Sequence, residues 1–286
     1  MKNFRNIVLG QWLPIIAALV ALTLPALLWA ADNPDRSPAA STAINPALAT
    51  SVARAMSGLQ KQSIHLVDVR PAADFEQFRI PGSIHMAVHA IRIKSFLKSK
   101  PIVLVNEGFS LDRLAAACET LNREGFQVTI LAGGLLSWRA QGGPLVGDPF
   151  AMDHLSTVAP HLLAREAYGG HLLIIDAVGA DTLPDEIPGI DTQSIPLMDN
   201  LQAPERLKAL METNRADPFF RLLIATPNGN ENNRIQRQLA TAGIHSVYLL
   251  SGGWQGYQQH LHDQRLAGRA KEERQVTTGP CSTCAP

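Results

Sequence analysis

The sequence predicts an α/β protein made of two consecutive copies of one mostly parallel sheet flanked by helices. Three observations predict it. Short apolar runs such as Ile102–Val105 and Leu222–Ala225 alternate with stretches of helical spacing such as Leu111, Leu114, Ala115, Cys118 and Leu121. The same markers recur: Asp68 and Asp176, Pro81 and Pro188, and Gly133 and Gly252 lie 108, 107 and 119 residues apart. Each copy also carries a glycine pair, Gly133-Gly134 and Gly252-Gly253, where a strand must turn sharply into a helix.

The elements follow in order. Lys2 and Arg5 precede an uninterrupted apolar run, Leu13–Ala30, that meets a polar stretch at Asp32. Residues 1–31 therefore read as an export signal, or as an uncleaved anchor, since the run is nearly long enough to span a bilayer. This places the rest outside the cytoplasm, in a bacterial periplasm, or anchored in the inner membrane and facing it. Residues 32–45, rich in Pro, Ser and Ala, form a linker. The first domain is expected over 46–145, opening with a helix over 46–58. The second is expected over 146–267, with a helix over 154–168. The Gly- and Pro-rich stretch 141–150 reads as the connection between them. The jump in repeat spacing places an insertion within 198–220 of the second copy, including a helix-like segment after Leu201. Residues 268–286 are polar and read as a flexible tail. Lys plus Arg equals Asp plus Glu at 25 each, which predicts no nucleic-acid partner. A membrane is expected only through the N-terminal segment, and only if that segment is uncleaved.

The loops after Val105 and Ala225 hold the functional interest. Each ends a strand and opens a helix, so its N–H groups converge and can cradle an anion. The first is Asn106-Glu107-Gly108-Phe109-Ser110. The second begins Thr226-Pro227-Asn228-Gly229-Asn230. Glu107 sets a carboxylate at the first cradle, and Pro227 removes a donor from the second. Asp68 and Asp176 are expected to support loops by accepting backbone N–H bonds. Trp138 and Trp254 read as core residues.

These markers resemble the rhodanese-like, or sulfurtransferase, family: Asp68-Val69-Arg70, Phe75, Arg79-Ile80-Pro81-Gly82 and Gly133-Gly134 through Trp138 in the first copy. Asp176, Ile187-Pro188-Gly189 and Gly252-Gly253-Trp254 repeat the pattern, with Val178 where the first copy has Arg70. The resemblance implies two tandem rhodanese-like domains. It also implies a catalytic Cys as first residue of the loop after the fourth strand, where a thiolate takes up sulfane sulfur as a persulfide. That position falls on Asn106 and Thr226. Neither loop contains a cysteine, so neither is expected to run thiosulfate sulfur transfer.

Cys118 lies on the apolar face of a helix and reads as core. Cys281 and Cys284 form a Cys-x-x-Cys pair in the tail. The pair lacks the strand–helix setting of a thioredoxin-type site, has Ala285 where a haem-attachment motif has His, and supplies two ligands where a zinc site needs four. A flexible tail from residue 268 would span about 20 Å, enough to bring either thiol to a loop. The expected protein is thus an exported binding or scaffold module with a redox-active tail dithiol, needing no cofactor and no metal. Its expected partner is an envelope thiol oxidoreductase or another exported protein. Whether it is an enzyme stays open. One alternative is sulfur transfer or thiol redox through Cys281 and Cys284; another is metal binding by those thiols.

Overall fold

A computed structural model describes residues 44–166, 170–178, 190–198 and 200–277, with side chains to residue 270. The expected signal, most of the linker and both tail cysteines lie outside the described residues.

The first half opens with a 3-10 turn, Pro46–Leu48, capped by the Asn45 side chain. The expected helix over 46–58 starts later. Strand β1 (Ala49–Thr50) comes first, because these residues pair with the sheet edge, and Ser51 then caps helix α1 (Val52–Gln60) by accepting from the Arg54 N–H. There follow β2 (His65–Asp68), α2 (Ala72–Gln77), β3 (Phe78–Arg79), β4 (Ile84–His85), two 3-10 turns, β5 (Ile102–Val105), α3 (Leu111–Arg123), β6 (Val128–Leu131) and α4 (Gly134–Ala140). The stretch that reads as the connection, 141–150, carries elements of its own. β7 (Val146–Gly147) pairs antiparallel with β3, and Asp148 caps α5 (Pro149–Asp153).

The second half comprises β8 (Thr157–Val158), α6 (Pro160–Leu163), β9 (Leu172–Asp176), β10 (Asp191–Ser194), α7 (Ala203–Thr213), β11 (Arg221–Ala225), α8 (Asn232–Thr241), β12 (Tyr248–Leu250) and α9 (Gly253–Thr277). A strand and a four-residue helix thus occupy much of the span expected to be one helix over 154–168. Helix α7 sits inside the expected insertion.

The two five-stranded sheets have the order β1-β6-β5-β2-β4 and β8-β12-β11-β9-β10, with every neighbour parallel. Counting sheet strands within each half, both orders read first, fifth, fourth, second, third. The central strands β5, β9 and β11 are buried throughout, as strands covered on both faces must be.

One apolar cluster joins the halves. Val52, Phe109, Leu135 and Trp138 from the first pack in the same core as Leu163, Tyr248, Trp254 and Tyr257 from the second. The last residues of the expected linker take part as well: Ile44 is buried, and its N–H donates to Nε2 of His171 at 3.2 Å. Because Nε2 accepts, Nδ1 carries the proton and donates to Asp217 at 2.6 Å.

The expected flexible tail is helical over its first ten residues, since α9 runs to Thr277. Its polar end, rich in Ala, Arg, Lys, Glu and Gln, is made of good helix formers.

Candidate functional site

The two strand-end loops are built alike. In each, the second glycine of the pair lies against the loop. A Cβ on Gly134 would stand 2.6 Å from the Asn106 carbonyl oxygen and the Gly108 nitrogen, and one on Gly253 would stand 2.1 Å from the Thr226 oxygen and 2.7 Å from the Asn228 nitrogen. The next residue then bonds to the first loop carbonyl: Leu135 N–H to Asn106 at 3.0 Å, and Trp254 N–H to Thr226 at 2.9 Å. Asn106 and Thr226 therefore hold equivalent places. Each turns its side chain inward onto its own loop. The Asn106 carboxamide oxygen accepts from the Gly108 N–H at 2.9 Å, and its amide donates to the Phe109 carbonyl. The Thr226 hydroxyl accepts from the Gly229 N–H at 3.0 Å and donates to Asn232 Oδ1 at 3.3 Å. Asn228 likewise takes the Asn230 N–H at 3.0 Å.

The surroundings of the loops differ. The first is largely covered by the second half, with Glu107 and Ser110 left half-buried. Glu166 is buried, and one of its oxygens accepts from the Ser110 N–H. The other pairs with Arg221 Nη1 at 2.9 Å. Arg221 is equally buried, donates to the Gly108 carbonyl at 2.8 Å, and lies over the Phe109 ring at 5.1 Å. The Tyr248 hydroxyl donates to the Glu107 carbonyl at 2.9 Å, and its ring meets Phe109 edge to face at 4.9 Å. Gly108 must be glycine here, since a Cβ would stand 2.2 Å from that hydroxyl oxygen and φ is +102°. A carboxylate thus occupies the point at which this loop aims its Ser110 N–H.

The titrating groups follow from this burial. Loss of solvent pushes the Tyr248 phenol up, against the opposing pull of Arg221. Burial also raises the Glu107 carboxyl, with a smaller opposing contribution from its own backbone hydrogen bond and from Arg70. In the second loop Asn228 and Asn230 are exposed.

Asp68 and Asp176 each accept the N–H of the residue two positions on. Asp68 accepts the Arg70 N–H at 3.1 Å and pairs with its guanidinium at 2.8 Å, while Arg70 also donates to the Phe78 carbonyl at 2.7 Å. Asp176 accepts the Val178 N–H at 3.0 Å. Trp138 and Trp254 are buried. Cys118 is buried too, and burial pushes its thiol up to about 12, the setting of a structural cysteine with little thiolate at neutral pH. Cys281 and Cys284 lie outside the described residues. Among the described residues, no group of three metal-capable side chains converges.

Helix α9 starts against the second loop and extends about 36 Å at 1.5 Å per residue toward the tail, whose two cysteines lie outside the described residues.

Glu166, Arg221 and Tyr248 escape sequence reasoning. A charged residue heading an apolar strand, as Arg221 does, is the one signal present, and it does not name a partner. A cavity of about 570 Å³ lined in part by Leu136, Arg139, Gln236 and His245 includes neither loop.

The model of the rhodanese-like domain matches residues 51–141. A curated relative called "Sulfurtransferase", from Allochromatium vinosum, is 30% identical over 88 residues, which are 30% of this chain and 80% of that protein. The chain belongs to the rhodanese-like family. Among solved structures, a rhodanese-related protein of Thermoplasma volcanium is 24% identical, covers 34% of this chain and 96% of its own, and has a TM-score of 0.30. The thiosulfate sulfurtransferase of Pseudomonas aeruginosa is 22% identical and covers 74% of this chain and 42% of its own, with a TM-score of 0.31.

Proposed function

We propose that this rhodanese-like protein is an exported tandem module without thiosulfate sulfurtransferase activity in its loops. In this reading residues 146–267 repeat the rhodanese-like domain, as the matching strand order and the matched loop construction support. The observation that carries the proposal is the Asn106 loop. At the position where the family's nucleophile is expected, a carboxamide bonds within the loop, and the Ser110 N–H is taken by Glu166. An amide forms no persulfide, and Glu166, neutralised by Arg221, already fills the Ser110 N–H that an anionic sulfur donor would use. The first loop then serves as a joint between the halves, and the module works by binding an exported partner. Helix α9 favours a tail dithiol presented outward, to a separate envelope thiol oxidoreductase, over one that serves its own loops.

Sulfur transfer from thiosulfate to cyanide by the full chain, beside a C281S/C284S variant, tests this. The expected result is that any transfer disappears in the variant. Transfer retained without the tail cysteines would mean that a loop is active and the reading is wrong.

A further inference from the structure

The balanced charge of the whole chain conceals a segregated stretch. Residues 77–106 contain no Asp or Glu, yet hold Arg79, Arg92, Lys94, Lys98 and Lys100. The centre of this stretch is the pair of 3-10 turns Val88–Ile93 and Ser95–Ser99, between β4 and β5. Ile91 and Leu97 point inward and are fully buried, which fixes both turns to the core. Between them the chain bulges outward, and residues 92–96 are all exposed. Ile93 is 75% and Phe96 52% exposed. Phe96 leans edge-on against His65 at 6.1 Å, which holds the ring in place. Arg92, Lys94, Lys98 and Lys100 interleave with and follow these two apolar side chains. The acid facing them from the neighbouring helix end is Glu124, and it is already engaged: its carboxylate pairs with Arg92, and its carbonyl accepts from Lys98 at 2.7 Å. The turns adjoin a shallow, largely apolar groove lined by Val88, His89, Arg92, Ala117 and Leu121.

We propose that the 91–100 turns are a peripheral contact to an anionic lipid surface. Two exposed apolar side chains on a short bulge with interleaved cations form an interfacial segment, whose Ile and Phe enter the acyl boundary while the lysines meet headgroup phosphates. A folded acidic partner fits less well, since a protein interface calls for a broader contiguous face with a buried centre. Among the described residues no helix is long and apolar enough to cross a membrane, so this contact lies on the surface and is separate from any anchoring by residues 13–30. It adds a membrane contact that the overall charge balance does not predict.

Hydrogen exchange of the full chain, read by mass spectrometry on peptides covering 91–100, tests the proposal. The probes are vesicles rich in phosphatidylglycerol and vesicles of phosphatidylcholine alone. The N-terminal segment, with Lys2 and Arg5, also favours anionic lipid, so the turns are isolated by comparing the chain with I93S/F96S on the same anionic vesicles. The expected result is exchange slowed at least tenfold on the anionic vesicles, reversed by high salt and lost in I93S/F96S. Lys94→Glu should weaken binding by about thirtyfold, from the loss of one favourable charge and the gain of an unfavourable one at about 1 kcal/mol each. Both substitutions are at exposed sites, and unchanged thermal unfolding verifies that the fold persists. No slowing, or equal slowing on phosphatidylcholine, overturns the proposal. Equal protection by soluble polyglutamate also overturns it, in favour of an acidic protein partner.

Discussion

The loop after β5 and the loop after β11 share a backbone design and differ in what meets them. Both end a central parallel strand, both rest on a glycine pair, and both have an inward polar side chain at the first position. The Asn106 loop is closed over by Glu166, Arg221 and Tyr248, whereas the Asn228 and Asn230 side chains of the Thr226 loop face solvent. A shared framework therefore stands in two different settings, and the setting is fixed by residues from outside the loop.

The largest expected effect tests the seal. Arg221→Met leaves the Glu166 carboxylate buried beside an apolar group, and should cost ~3–5 kcal/mol in urea unfolding. Combining it with Glu166→Leu removes the orphaned charge and should recover part of that loss. A cost under about 1 kcal/mol for Arg221→Met would show that the pair is not buried as described.

Next is the matched pair Asn106→Ala and Thr226→Ala. The first leaves the Gly108 N–H and the Phe109 carbonyl without partners in a sealed interior, and should cost ~2–3 kcal/mol. The second frees one N–H in a loop with an exposed rim and should cost about 1 kcal/mol. Equal losses would erase the distinction between the loops.

Glu107 gives a pH-dependent test. Its folded carboxyl is raised by burial, so the fold binds more protons than the unfolded chain, and stability falls as pH rises from the unfolded value through the raised one. Glu107→Gln should therefore raise Tm at pH 8 and leave it nearly unchanged near pH 4. A uniform shift across that range would contradict this.

The smallest effect concerns Cys118. With its thiol at about 12 and no exposure, it should resist iodoacetamide in the native protein and react after unfolding in urea. Native alkylation at Cys118 would show that helix α3 opens.

Sequence reasoning recovered what periodicity and glycine encode. The four-residue β5, helix α3 from Leu111 and the two glycine turns were legible because each is set by local pattern. The 141–150 stretch was not, because the pairing of Val146–Gly147 with Phe78–Arg79 depends on a partner about 70 residues away. Helix α9 past Leu266 was missed because its residues carry propensity without an apolar face. The seal was invisible for a further reason: Glu166 and Arg221 are residue types that usually face water, and only the packing of the two halves brings them together.

Amide exchange in the native full chain, resolved by NMR, tests the contrast most directly. If the first loop is a joint, the Gly108 and Ser110 amides exchange only through global or near-global unfolding, while the Asn230 amide, on an exposed rim, exchanges orders of magnitude faster. If Ser110 exchanges as fast as Asn230, Glu166 does not hold the first loop shut, and the two loops are alike in kind as well as in construction.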